Sequence, residues 1–151
     1  MAAFKDYLRF TDEMEYMDRQ IRLLGEVNLT EDEQEELETV DKEVKLLAFA
    51  HPKCPDCAVV IAVLEAMRRF IPNIDVDYRK RSEDKELLLQ YSPEGKIPTI
   101  FITEGIKVTR IFSEFPEKIK ELIENNAEEK EKFHRGEYNK EIYNQILEYI
   151  R

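Results

Sequence analysis

The stretch KLLAFA-HPKCPDC-AVVIAVL, residues 45–64, decides how this chain is read. Lys45–Ala50 is a short apolar run with the length of a buried strand. The prolines of HPKCPDC break it, and Ala58–Phe70 resumes as an almost wholly apolar helix that Pro72 bars from continuing. Two cysteines therefore sit at a strand-to-helix junction. With Cys54 at the N-cap, Pro55 takes the first helical position, where its missing N–H costs nothing. Cys57 then lies one turn on, on the same face and within disulfide reach. The Cys54 sulfur meets unsatisfied backbone N–H groups and the positive end of the helix dipole, and both favour thiolate over thiol. Lys53 adds a neighbouring cation. Asp56 opposes it, with a side chain able to point into solvent, and the net expectation is a depressed pKa on Cys54.

Outward from this junction the pattern alternates. Ile74–Tyr78 reads as a strand, Glu83–Tyr91 as a short helix capped by Ser82, and Pro98–Thr103 and Lys107–Phe112 as a hairpin turning at Glu104-Gly105. Pro116 fits the first turn of a helix through Ile119, Leu122 and Ile123. From residue 45 the order is strand, helix, strand, helix, strand, strand, helix. This order predicts an α/β fold with a mixed sheet of about four strands flanked by helices. Toward the N-terminus, Phe4, Leu8, Met14, Met17, Ile21 and Leu24 keep helical spacing, with Gly25 as the stop. Met14 and Met17 are read there as packing residues. Thr30-x-x-Glu33 is a capping box opening a second helix to about Glu43, with Leu37 and Val40 inward and a glutamate block outward. Beyond Asn126 the chain is polar until Ile142, Ile146, Leu147 and Ile150 mark a terminal amphipathic helix. Three segments follow: an acidic helical extension 1–43 packed on the core, a core 44–126, and a helical extension 127–151.

A second motif, Lys96-Ile97-Pro98-Thr99, opens the later strand about forty residues after Cys54-x-x-Cys57. The two motifs within a β-α-β pattern resemble the thioredoxin family over about residues 45–125. The resemblance implies a thioredoxin-like fold with added N- and C-terminal helices. It also implies a cis peptide bond before Pro98, opposite the cysteines, where it blocks metal capture. The backbone at Ile97–Pro98 then pairs with the substrate strand, and Thr99 joins Ile97 and Pro98 as a substrate-binding residue. The sequence departs from the family pattern in four places. Lys53 stands where an aromatic precedes the first cysteine, and Pro55-Asp56 replaces Gly-Pro. Ala48 occupies the place of a buried acid, and no first strand precedes residue 44.

Function follows from the dithiol. Cys54 is the expected nucleophile and Cys57 the resolver of a thiol-disulfide oxidoreductase acting on protein disulfides. Lys53 and Asp56 modulate the nucleophile. No metal and no cofactor beyond the redox-active Cys54–Cys57 disulfide is required, and the partners are a protein disulfide and an external reductase. A metal site would need His51 and His134, but H-x-x-C-x-x-C is cramped for a tetrahedron and His134 falls in a polar tail. Two further readings are a binding or redox-sensing module with little turnover, and a glutathione-linked, glutaredoxin-like enzyme.

Composition narrows the field further. Of 151 residues 42 % are apolar, enough for a real core. Residues 1–43 hold five basic and fourteen acidic side chains, so most of the net charge of −10 lies there. Such a balance repels phosphate backbones and anionic membranes, excluding nucleic acid and membrane as expected partners. With no apolar leader and no 18-residue apolar run, the expectation is a cytoplasmic monomer or weak dimer.

Overall fold

Helical spacing at the N-terminus does not make one helix. The computed structural model describes residues 1–151, and its chain opens with α1 (Phe4–Leu8) and α2 (Met14–Glu26). Between them the Thr11 hydroxyl accepts the Glu13 N–H at 3.1 Å, a local bond that competes with helix continuation. The buried face differs from the expected one as well. Met14 is 65 % and Ile21 53 % exposed, while Tyr7 and Gln20 are wholly buried. Gly25 lies inside α2, which ends one residue later.

Helix α3 (Glu31–Glu38) starts as its capping box dictates. The Thr30 hydroxyl accepts from Glu33 N–H at 3.1 Å, and Thr30 N–H donates to Glu33 Oε1 at 2.9 Å. It stops short of Glu43, where the Thr39 hydroxyl turns back to the Glu36 carbonyl at 2.6 Å. Next come β1 (Val44–Phe49), α4 (Pro55–Arg68), β2 (Ile74–Arg79) and α5 (Lys85–Tyr91), with Asp84 rather than Ser82 at the N-cap of α5. The hairpin β3 (Thr99–Glu104) and β4 (Lys107–Ser113) turns at Gly105, whose φ of 64° suits a residue without Cβ. After Pro116 a 3-10 turn, Glu117–Ile119, leads into α6 (Lys120–Glu124), α7 (Ala127–His134) and α8 (Asn139–Ile150). Helix α7 lies in the stretch expected to be merely polar. Asn126 Oδ1 caps it by accepting from Glu128 and Glu129 N–H, and Phe133 is fully buried. No helix is long and apolar enough to cross a membrane.

The sheet runs in the order β2-β1-β3-β4. Strands β1 and β2 are parallel, as their crossover through α4 requires, while β3 is antiparallel to β1 and to β4. The free edge of β2 is covered by the N-terminus. Tyr78 N–H donates to the Ala2 carbonyl at 2.9 Å, and α1 packs alongside. One face of the sheet buries Phe49 and Phe101 against Leu88 of α5. The other carries the main core, in which every residue of α4 from Cys57 to Met67 is buried.

A helix buried all round needs cover on every side. The sheet covers one side of α4, and α2, α7 and α8 cover the rest. Tyr7, Leu37, Phe133, Ile142 and Ile146 accordingly share one core with the strands. Glu65, the one charge in this run, accepts from Tyr78 OH at 2.5 Å and Arg68 Nε at 2.8 Å. The glutamate block of α3, expected as a solvated face, is partly tied to α8. Lys140 Nζ reaches Glu33 Oε2 at 2.7 Å, and Tyr143 OH donates to Glu36 Oε1 at 2.7 Å.

Candidate active site

Register brings the two sequence motifs to one end of the sheet. Phe49, the last residue of β1, pairs with Thr99, the first of β3, and Thr99 pairs with Ser113 at the end of β4. The loop carrying Cys54, the Pro98 turn and Glu114 therefore emerge side by side. The Ile97-Pro98 peptide is cis.

The cysteine loop is built by its own backbone. Cys54 N–H donates to the His51 carbonyl at 3.0 Å, and Lys53 N–H donates to His51 Nδ1 at 3.1 Å. Burial lowers the pKa of this histidine. Cys54 is the N-cap of α4 with Pro55 at the first position, and its sulfur accepts the Cys57 N–H at 3.2 Å.

The two thiols are inequivalent. Both are free, Cys54 partly exposed and Cys57 buried. The Cys57 thiol hydrogen bond and the Cys57 and Asp56 backbone N–H groups hold Cys54 below the ordinary thiol value, against burial and the Asp56 charge. Burial first, then the hydrogen bond and charge of Cys54, push Cys57 well above it. Of the two, Cys54 at the surface gives up its proton more readily than Cys57 beneath it.

The expected modulators have other partners. Lys53 Nζ is 2.9 Å from Glu13 Oε1, so its charge is directed to the start of α2. Asp56 does not point freely into solvent: its Oδ1 lies 2.7 Å from His134 Nε2, at the end of α7. His134 owes its place to its neighbours. Phe133 packs edge-on against Phe115 with ring centroids 5.1 Å apart, and Gly136, at φ 84°, ends the helix just beyond. The Gly136 N–H donates to the Phe133 carbonyl and the Glu137 N–H to the Lys132 carbonyl, which closes the cap. Neither histidine joins the cysteines in a group of three or more metal-ligating side chains.

Around the Pro98 turn the backbone is only partly used. Glu114 N–H, at a φ of 65°, donates to the Pro98 carbonyl at 2.7 Å. The N–H and C=O of Ile97 make no hydrogen bond within the chain. Thr99 is fully buried, and its hydroxyl donates to the Lys96 carbonyl at 2.7 Å, so its side chain braces the turn from within.

The N-terminal extension supplies the floor that sequence reasoning missed. Arg19 Nη2 donates to the Pro52 carbonyl at 2.6 Å. Gln20 Nε2 donates to the Ala58 carbonyl at 2.9 Å and Gln20 Oε1 accepts from Tyr7 OH at 2.8 Å. Tyr7 lies in the same core as Cys57, and burial, then the charges of Cys57 and Cys54, push its pKa well up. The only advance signal was Tyr7 and Gln20 lying at helical positions in a segment packed somewhere.

Comparison with known proteins agrees with this geometry. The sequence model of a family described as Thioredoxin matches residues 1–132. The chain belongs to the thioredoxin family. A curated thioredoxin of Mycoplasmopsis pulmonis (strain UAB CTIP) is 31 % identical over 98 residues, spanning 57 % of this chain and 90 % of the relative. Among solved structures, a protein of unknown function from Pseudomonas aeruginosa superposes with a TM-score of 0.79 at 18 % identity, over 96 % of this chain and 89 % of the other. An HIV epitope-scaffold gives 0.78 at 17 % identity, over 96 % and 89 %. At such identities these two show the thioredoxin-like fold alone. That the family match begins at residue 1 accords with α1 and α2 being part of the same core.

Proposed function

We propose that this thioredoxin-family protein is a thiol-disulfide oxidoreductase acting on protein disulfides. The observation that carries the reading is the asymmetry of the dithiol: a partly exposed, acid-shifted Cys54 above a buried, base-shifted Cys57. Cys54 thiolate attacks one sulfur of the substrate disulfide. A mixed disulfide forms, and the released substrate thiolate takes up a proton. Cys57 then loses its proton and attacks the Cys54 sulfur, which forms the Cys54–Cys57 disulfide and frees the second substrate thiol. The substrate gains two electrons and the protein loses them. An external dithiol reductase restores the reduced pair.

The unpaired N–H and C=O of Ile97 support a place for an extended substrate strand beside the disulfide, next to the cis Pro98. Thr99 braces that turn from within through its hydroxyl bond. Reduction of insulin by dithiothreitol tests the proposal. The wild-type chain accelerates it and Cys54→Ser does not; equal rates for the two would replace the enzyme by a binding or sensing module. Supplying glutathione and its reductase as the only electron source separates glutaredoxin-like chemistry from this one.

A further inference from the structure

The contact between His134 and Asp56 joins the C-terminal extension to the residue between the cysteines, 78 positions away in sequence. We propose that His134 is a positioning residue of the dithiol: by holding the Asp56 carboxylate it limits the negative charge that Asp56 sets against the Cys54 thiolate. The inference deepens the reading of Cys54 as the attacking thiolate and rests on it.

Three observations support this role. A carboxylate oxygen only accepts, so the 2.7 Å contact requires His134 Nε2 to carry the hydrogen and donate it. That bond draws carboxylate charge toward the ring and fixes the rotamer of Asp56. Both side chains are largely shielded, 33 % and 19 % exposed, so the contact is screened less than a surface pair. The histidine is also held rigidly from behind, by Phe133 in the core and the Gly136 cap. Asp56 in turn acts on Cys54 by raising its pKa, the one opposing charge among the influences on that thiol. Lys53 is on Glu13, and Arg19 is on the Pro52 carbonyl. His134 is thus the side chain that faces Asp56.

The test reads Cys54 reactivity and needs no protein substrate, so it stands apart from the insulin assay. The rate of Cys54 alkylation by iodoacetamide is measured against pH in the reduced full-length chain, with peptide mapping to confirm the site. Relative to wild type, His134→Ala slows alkylation near neutral pH by about two- to fivefold and moves the profile to higher pH, the scale of one partly screened charge interaction. His134→Gln, which keeps an N–H donor at the same reach, stays close to wild type. In an Asp56→Asn background the alanine substitution changes nothing. Equal slowing by His134→Ala in the Asp56→Asn background would overturn the proposal, because a loosened α7 acts whether or not Asp56 is charged. No slowing in the wild-type background would overturn it too.

Discussion

Lys53 and Tyr7 show how far a residue's neighbours in space can redirect what its neighbours in sequence promise. Beside Cys54 in the chain, Lys53 reads as a tuning cation, but its ammonium lies 2.9 Å from Glu13 and its side chain is half exposed. Lys53→Met is therefore expected to change the Cys54 alkylation rate by less than about twofold, as screened surface charges do. A slowing of more than fivefold would show that the cation acts on the sulfur after all. Tyr7 lies 47 residues before Cys54 and carries no motif, yet it is fully buried and donates to Gln20 beneath the start of α4. Tyr7→Phe keeps the ring and deletes the donor, leaving buried Gln20 Oε1 without its partner. Such an orphan costs about 1–3 kcal/mol, to be read from urea unfolding of the reduced protein. No change in the unfolding midpoint would mean that Gln20 finds another donor.

Helix α4 is the element on which the fold turns, because it is buried on every side and its first turn carries the dithiol. Its cover comes from α2, α7 and α8, so the terminal segments share one hydrophobic core with the sheet. Ile146→Ala on α8 should cost about 2–5 kcal/mol and still give one unfolding transition. A separate early transition, with Cys57 still protected from alkylation, would instead make α8 an independent appendage. The same element explains what sequence could tell. The strand before Cys54, the N-cap and Pro55 follow from local chemistry, whereas the cis turn at 97–99 follows from the family resemblance and not from its own residues. The terminal helices were harder to place. Met14 and Ile21 keep apolar periodicity yet face solvent, because Thr11 splits the helix and lets α2 turn Gln20 inward. Helix α7 hides Phe133 among charges, with only Asn126 as a capping signal. His134 meets Asp56 across 78 residues, through packing that no local pattern encodes.

Over the whole molecule, the buried ionisable groups fix how stability responds to pH. Burial first, then the charges of their neighbours, push Tyr7 and Tyr78 well above the ordinary tyrosine range, and Cys57 is raised for similar reasons. In each case the folded pKa exceeds the unfolded one. Their stabilising contribution is therefore full below the unfolded values and is lost as pH rises past them, from about 8.5 for the thiol and 10 for the phenols. The melting temperature of the reduced protein should fall steadily between pH 8 and pH 10.5; a flat profile would mean these groups ionise as readily folded as unfolded. In the proposed function Cys54 attacks and Cys57 resolves. Trapping with Cys57→Ser tests it most directly, since the mixed disulfide then has no resolving thiol. Incubated with a protein disulfide and analysed by mass spectrometry under non-reducing conditions, this variant should carry one substrate chain, mapped to Cys54. Absence of any adduct, with Cys54 recovered as free thiol, would contradict the account.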